Sequence, residues 1–136
     1  MADEKMFKLT IICPDKIFYE GEASMIELTT SEGDVGIYKN HIPMTMILAP
    51  GVLKITESDG VKEAALHAGF IEVLPEEIKI LAEIAEWPEE IDMNRANEAK
   101  IRAQRRLAGD EPGEINVLRA EIALKKSLIR LELGQK

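Results

Sequence analysis

Over the first 86 residues, apolar side chains recur at every second position or in short runs, which is the pattern of β-strands. Turn-forming stretches separate the runs: PDK at 14–16, SEGD at 31–34, APG at 49–51, SDG at 58–60 and LPEE at 74–77. Nine strands are predicted, at 7–12, 17–23, 24–30, 34–37, 44–48, 52–57, 61–67, 69–74 and 78–86. Many short strands with no helical pattern between them predict a β-sandwich or a flattened barrel.

After Pro88 the apolar spacing becomes that of a helix. Asp92 is placed to cap a helix that runs to about Leu107, because its carboxylate can accept from the free amides of the first turn. One face of this helix carries small residues and one leucine, namely Ala96, Ala99, Ala103 and Leu107. Such a narrow face allows a second helix to approach closely. The stretch AGDEPGE at 108–114 ends the helix with two glycines and a proline.

A second helix is predicted from about Glu114 to Leu133, with two apolar stripes. One stripe holds Ile115, Leu118, Ile122 and Ile129, and the other holds Val117, Leu124, Leu128 and Leu131. The short connection predicts an antiparallel hairpin. Two stripes exceed what one partner helix covers, so this surface must lie on the sandwich or on another protein. The predicted fold is therefore a sandwich domain at 1–87 followed by a helical hairpin domain at 88–136.

Charge divides the chain at the same place. Residues 1–88 hold 7 basic and 16 acidic side chains, a net charge of −9, whereas residues 89–136 hold 10 and 9, a net charge of +1. This balance argues against a general nucleic-acid-binding protein. No long apolar run or signal-peptide core is present, which predicts a cytoplasmic protein. The single cysteine, Cys13, excludes an internal disulfide and is predicted to be a buried small hydrophobe.

Basic residues form one stripe on each predicted helix. The stripes hold Arg95, Arg102 and Arg106 on the first helix, and Arg119, Lys126 and Arg130 on the second. Each set is spaced 0, +7 and +11, which keeps it within about 40° of arc. Converging stripes would repel unless an anion lay among them, either a polyphosphate or the acidic surface of a partner. A solvated face with pairs such as Glu98 and Arg102 explains the same spacing, so both interpretations stay open.

The residues do not predict an enzyme. The sequence has no grouping of nucleophile, base and orienting residue, no glycine-rich phosphate loop before a helix, and no metal-ligand cluster. From the residues alone, an adaptor with an apolar helical hairpin is one open interpretation.

Five stretches carry a family likeness that covers nearly the whole chain. They are FKLTIICPDKIFYEGEA, SEGDVGIYKNHIPMTMILAPG, HAGFIEVLPEEIKILAE, IDMNRANEAKIRAQRRL and RAEIALKKSLIRL. In their order and spacing the chain resembles the epsilon subunits of bacterial F-type ATP synthases, called delta in mitochondria. The resemblance implies a ten-stranded β-sandwich followed by a helical hairpin. It also implies a non-catalytic rotor subunit that binds the gamma subunit and rests on the ring of c subunits, as a peripheral protein at the cytoplasmic face of the bacterial membrane.

The resemblance also implies site residues. Family members touch the c-ring through the loop at 31–41, which makes Asp34 and His41 candidates for that contact; a turn histidine satisfied by backbone groups is the alternative for His41. Several bacterial members carry a pattern of Ile or Leu, Asp, two variable residues, Arg and Ala at an ATP site. Ile91, Asp92, Arg95 and Ala96 match that pattern.

By the same resemblance, Glu86 and Asp92 address the adenine side of ATP, and Arg95, Arg102 and Arg130 address the phosphates. Lys126 stands where binding members can carry an arginine. Lysine keeps the charge but loses the bidentate fork, which predicts weaker or absent ATP binding. No other cofactor and no metal is implied.

A regulatory mechanism follows from the resemblance. Folded on the sandwich with ATP among its arginines, the hairpin permits ATP hydrolysis. Extended along gamma, it places the same cations against acidic loops of the beta subunits in the alpha/beta head and blocks rotation in the hydrolytic direction.

Overall fold

The computed structural model describes residues 6–109 and 116–134. The chain divides into two compact units, the first ending at Glu86 and the second beginning at Trp87. The described part of the first unit contains eight strands: β1 (Phe7–Cys13), β2 (Lys16–Ala23), β3 (Met25–Thr30), β4 (Gly33–Tyr38), β5 (Met44–Ile47), β6 (Gly51–Glu57), β7 (Gly60–Val73) and β8 (Glu77–Glu86). The second unit holds two helices, so the predicted class, a β-sandwich followed by two C-terminal helices, is confirmed.

The predicted number of strands is wrong, because the break expected near residue 68 is a bend inside β7. Ala68 (φ 59°) and Gly69 (φ 127°) both adopt positive φ there. Before the bend β7 pairs with β6, and after it β7 pairs with β5, while β8 pairs with both halves. Continuous pairing with β8 makes one strand of the two that were predicted. The described residues therefore contain eight strands, not the nine of the pattern or the ten of the resemblance.

The sheet folds over on itself to make the two layers of the sandwich. Its strand order is β2-β1-β8-β7-β6-β3-β4, with β5 also paired to β7, and only the β1–β8 pairing is parallel. Although β2 and β6 lie far apart in this order, the Tyr19 hydroxyl on β2 donates to Oε2 of Glu57 on β6 at 2.5 Å. Burial, reinforced by this hydrogen bond to Glu57, raises the pKa of Tyr19.

Alternating apolar positions of the strands fill the space between the layers. On β1, Phe7, Leu9 and Ile11 are buried, and Ile78 and Ile80 on β8 are buried beside them. Period-two alternation directs these side chains to one face of the sheet, which is why the strand pattern was readable in the sequence. Cys13 is buried at the end of β1, as predicted.

The second unit begins with a short 3-10 turn at Pro88–Glu90, followed by α1 (Met93–Ala108) and α2 (Val117–Gly134). Asp92 caps α1 as predicted, since its Oδ1 accepts from the Arg95 amide at 3.1 Å. Gly109, with φ 78°, ends the helix in the left-handed conformation. The rest of the predicted break, together with Glu114 and Ile115, lies outside the described residues.

The observed start of α2 differs slightly from the prediction. Oδ1 of Asn116 accepts from the Arg119 amide at 3.1 Å and so caps a helix that begins at Val117. Within the described residues, neither helix has the length and apolar content that crossing a membrane would require.

The bend in β7 generates a stability prediction. A Cβ on Gly69 would overlap the carbonyl oxygen of Leu81, whereas a Cβ on Gly33, which has a similar φ of 121°, would meet nothing within 4 Å. Gly33→Ala should therefore lower the free energy of unfolding only by the strain of its positive φ, about 1–3 kcal/mol. Gly69→Ala should lower it by clearly more, because its Cβ also overlaps the backbone of β8. Urea unfolding of the full chain, followed by far-UV circular dichroism, measures both. Equal losses for the two variants would show that the close approach of β7 and β8 at Gly69 does not constrain the fold.

Candidate functional site

The two helices meet along a seam of small residues. Ala96 and Ala103 of α1 are buried, as are Ala120 and Ser127 of α2, each pair seven residues apart. Ser127 donates to the carbonyl oxygens of Ala123 (3.1 Å) and Leu124 (2.9 Å), so its hydroxyl is satisfied within its own helix. The predicted narrow face of α1 is thus its buried face, and the buried residues of α2 are these two small residues and Leu133.

The ends of the helices show that they run antiparallel. A Cβ on Gly134, at the end of α2, would overlap Sδ of Met93, at the start of α1. The start of α1 therefore lies beside the end of α2. This direction confirms the predicted hairpin and sets which residues lie level with each other.

The antiparallel direction brings the two basic stripes to one face of the hairpin. At 100° per residue, each stripe lies about 90° from the centre of its own seam, in the same rotational sense. Two antiparallel helices that face each other are related by an approximate twofold axis, so equal offsets fall on the same side. We call this surface the basic face. It consists of Arg95, Arg102, Arg106, Arg119, Lys126 and Arg130.

Along the hairpin, cations of one stripe lie near cations of the other. With Met93 beside Gly134, Arg95 lies about two residues from the level of Arg130, and Arg106 about two residues from the level of Arg119. Arg95, Arg102 and Arg119 are exposed, whereas Lys126 and Arg130 are partly buried. Placing this many cations on one side of a narrow hairpin raises the local potential and favours a polyvalent anion or an acidic surface.

The start of α1 holds the other predicted residues of the second unit. Ile91 follows the 3-10 turn and donates its amide to the Pro88 carbonyl at 3.3 Å. Asp92 is exposed, and its carboxylate is already engaged in capping the helix through the amide of Arg95, three residues later. Ile91, Asp92 and Arg95 thus lie together at the positive end of the helix dipole.

Glu86, the remaining residue predicted for ATP, is the last residue of β8 in the sandwich. Its Oε1 lies 3.3 Å from Nε2 of His67 on β7. His67 is fully buried, and among the described residues its Nδ1 has no hydrogen-bond partner. The sequence pattern did not predict this pair, because a histidine inside a strand is by default a packing residue.

The two residues predicted for the c-ring contact lie on one stretch of the sandwich. Asp34 is exposed on β4, and its Oδ1 accepts from the Thr29 hydroxyl at 2.8 Å. Nδ1 of His41 donates to the Ile42 carbonyl at 3.0 Å, so a backbone group satisfies that nitrogen. The region 31–41 is largely strand β4 and is not only a loop. Two large apolar side chains, Tyr38 (60% exposed) and Ile42 (75% exposed), accompany the polar pair on the surface.

A further apolar surface lies on the outer side of α2. Leu118, Ile122, Leu124 and Leu128, with Glu121 and Lys125, line a groove of about 360 Å³. Leu118 is 66% exposed, so part of the wide apolar face predicted for this helix is open. In the described residues, no cluster of three or more His, Cys, Asp or Glu side chains could hold a metal ion.

Two family models match this chain in tandem. Residues 6–88 match the beta-sandwich domain of the ATP synthase delta/epsilon chain. Residues 89–134 match the long alpha-helix domain of the same chain. The boundary between the two matches lies two residues after the structural boundary at Glu86.

Curated relatives and solved structures agree with these matches. The chain is 45% identical to an ATP synthase epsilon chain of Clostridium novyi, covering 95% of this chain and 98% of that one. It is 42% identical to an epsilon chain of Caldanaerobacter subterraneus, covering 98% and 96%. A chain in the Euglena gracilis mitochondrial ATP synthase matches with a TM-score of 0.80 at 26% identity, covering 96% and 82%. A chain from the Tetrahymena thermophila mitochondrial ATP synthase, with a TM-score of 0.58 at 20% identity, shares the fold over 95% and 93%.

The small seam generates a prediction for the hairpin. Ala103→Leu should lower the free energy of opening of the helix pair by about 1–3 kcal/mol, because a larger side chain forces the two helices apart. Amide hydrogen exchange in α1 and α2 measures the opening. Gln104→Leu is the control, since Gln104 is exposed on the same helix and the substitution adds apolar volume away from the seam. Equal protection in the two variants would contradict close packing at Ala103.

Proposed function

Because this chain belongs to the ATP synthase delta/epsilon family, over residues 6–134, we propose that it regulates that enzyme through its second unit. The chain is a non-catalytic, epsilon-type subunit of the central stalk. Family membership also decides between this subunit and the unrelated adaptor that the residues alone left open.

The regulatory ligand we propose is ATP, bound through its phosphates to the basic face. The observation that carries this proposal is the antiparallel seam of the two helices, from which we infer, by helix geometry, that the two basic stripes share a face. A triphosphate carries several negative charges in a short length, so it can contact cations on both helices at once. Arginine offers a planar fork that matches phosphate oxygens, and the face contains five arginines and one lysine.

The position of the nucleotide within the second unit follows from the sequence pattern around Arg95. Ile91, Asp92, Arg95 and Ala96 match the family's ATP pattern and lie at the start of α1. We assign Arg95, Arg102, Lys126 and Arg130 to the phosphates. Asp92 and Glu86 are assigned to the adenine side, by resemblance.

ATP would act by competing with a protein partner for the same cations. In the extended hairpin, the basic face would meet acidic loops of the beta subunits and inhibit hydrolysis, as the resemblance implies. One set of cations would then serve two exclusive anionic partners. By linkage, ATP shifts the balance only by its difference in affinity between the two conformations.

The sandwich supplies the anchoring contacts in this proposal. Its partners are the gamma subunit and the c-ring, which hold the chain at the cytoplasmic face of the membrane as a peripheral component of the complex. Asp34 and His41 are assigned to the c-ring contact. The exposed Tyr38 and Ile42 side chains support this assignment, because they add apolar area next to the polar pair.

Removing two cations from the first stripe should weaken both the binding of MgATP and the inhibitory contact with the beta subunits. We expect Arg95→Ala combined with Arg102→Ala to lower MgATP affinity by at least about tenfold, because each charge-assisted hydrogen bond contributes more than a neutral one. The same variant should relieve inhibition of ATP hydrolysis in the assembled enzyme. Calorimetric titration of the isolated chain and hydrolysis assays of the complex measure the two effects.

Arg105→Ala is the matched control for this experiment. Arg105 is exposed on the same helix but lies outside the stripe, so its loss should change either readout by less than about twofold. If the double variant binds MgATP and inhibits hydrolysis like the unmodified chain, the basic face is not the regulatory site. Lost binding with unchanged inhibition would refute the shared use of the cations.

A substitution at Lys126 tests whether MgATP binding can be made tighter. Lys126→Arg should tighten MgATP binding about three- to tenfold, because a guanidinium fork can hold two phosphate oxygens where an ammonium holds one. Lys125→Arg is the control, since Lys125 lines the apolar groove on another side of α2. Titrations of both variants under the same salt conditions give the comparison. A gain in both variants would indicate a nonspecific charge effect.

A further inference from the structure

His67 is a buried polar side chain that the packing of the sandwich does not explain. Its exposure is 0%, and it directly follows a run of buried apolar residues at 64–66 of β7. Its Nε2 lies 3.3 Å from Oε1 of Glu86, whereas its Nδ1 has no partner among the described residues. A buried nitrogen without a hydrogen bond costs stability that an apolar side chain would not cost.

The register of β7 and β8 brings the two side chains together. Ala65 is the direct partner of Glu86, and His67 is the second residue after Ala65. Residues two apart on a strand point to the same face, so His67 and Glu86 are diagonal neighbours across the two strands. A long side chain such as glutamate reaches that far. The bend at Ala68 and Gly69 follows His67 directly, at the point where β7 changes partner.

The chemistry of the pair decides where the histidine hydrogen lies. An ionised carboxylate only accepts, so the nitrogen that faces it must carry the hydrogen. His67 therefore donates from Nε2 to Glu86, and its Nδ1 has no partner among the described residues. For the pair we expect the Nε2–H tautomer.

We infer that His67 is a positioning residue, whose role is to hold the Glu86 carboxylate in one orientation at the end of β8. The inference rests on the proposed ATP site, in which Glu86 addresses the adenine side. His67 itself is buried and acts on the nucleotide only through Glu86. A donor fixed in the sheet holds the carboxylate in one orientation before ATP binds. Less conformational entropy is then lost on binding, and the affinity is higher.

Two substitutions separate positioning from packing. His67→Leu fills the space but removes the donor, and His67→Gln keeps an amide nitrogen that can donate from nearly the position of Nε2. In calorimetric titrations of the full chain, we expect His67→Leu to weaken MgATP binding about tenfold, as loss of a hydrogen bond to a charged group does, and His67→Gln to stay within about twofold. The melting temperature of His67→Leu should be unchanged or higher, because the unpartnered nitrogen is gone.

A second background tests whether His67 acts through Glu86. In Glu86→Gln, the further change His67→Leu should cause no additional loss of affinity. The inference is overturned if His67→Leu lowers the melting temperature and leaves affinity unchanged, or if its loss of affinity is the same in both backgrounds.

A spectroscopic readout keeps this inference separate from the proposed function. The ring-nitrogen resonances of His67 should show the Nε2–H tautomer and should move in Glu86→Gln. Resonances of the other tautomer, or resonances insensitive to Glu86, would overturn the pairing. If the unmodified chain binds no MgATP while the resonances behave as expected, the proposed nucleotide site fails and the pairing of His67 with Glu86 stands.

Discussion

The close approach of α1 and α2 is the constraint on which the rest of the second unit depends. Alanine and serine form the seam, so the helix axes lie close and the residues beside the seam on the two helices become neighbours. Those neighbours are cations on one side of the hairpin. The seam also buries little apolar area, because a methyl group contributes far less than a leucine. A hairpin built in this way brings charged side chains of the two helices close together.

The first unit has the opposite character. Long apolar side chains from β1, β8 and the neighbouring strands fill a core between two layers. The bend at Ala68 and Gly69 lets one strand serve both layers, since β7 pairs with β6 on one side of the bend and with β5 on the other. The strain of a positive φ at Ala68 is tolerated because pairing with β8 holds the strand on both sides of the bend. A well-packed sandwich would suit the anchoring role that we propose for the first unit, and a thin hairpin would suit the regulatory role that we propose for the second.

The proposed regulation uses these differences directly. In the proposal, cations gathered on one face would give both the nucleotide and an acidic protein surface a favourable electrostatic interaction. Neither partner would require a new site, because both would use the basic face. The buried His67 lies beside Glu86 at the end of β8, immediately before the second unit begins.

Local patterns in the sequence determined much of this molecule. Period-two apolar spacing located the strands, the small face of α1 was readable from Ala96, Ala99 and Ala103, and Asp92 was identifiable as a cap because capping depends on residues three apart. The family likeness supplied the candidate ATP and c-ring residues, whose assignment stays a prediction.

What only the tertiary structure decided depends on contacts between distant residues. Whether the chain near residue 68 separates two strands or bends within one depends on pairing with β8, which no local pattern contains. The meeting of His67 with Glu86 required the register of two strands, because alternation gives the face of a side chain but not its partner. The two basic stripes share a face only because the helices run antiparallel with equal offsets from the seam, a relation that exists only in the packed pair.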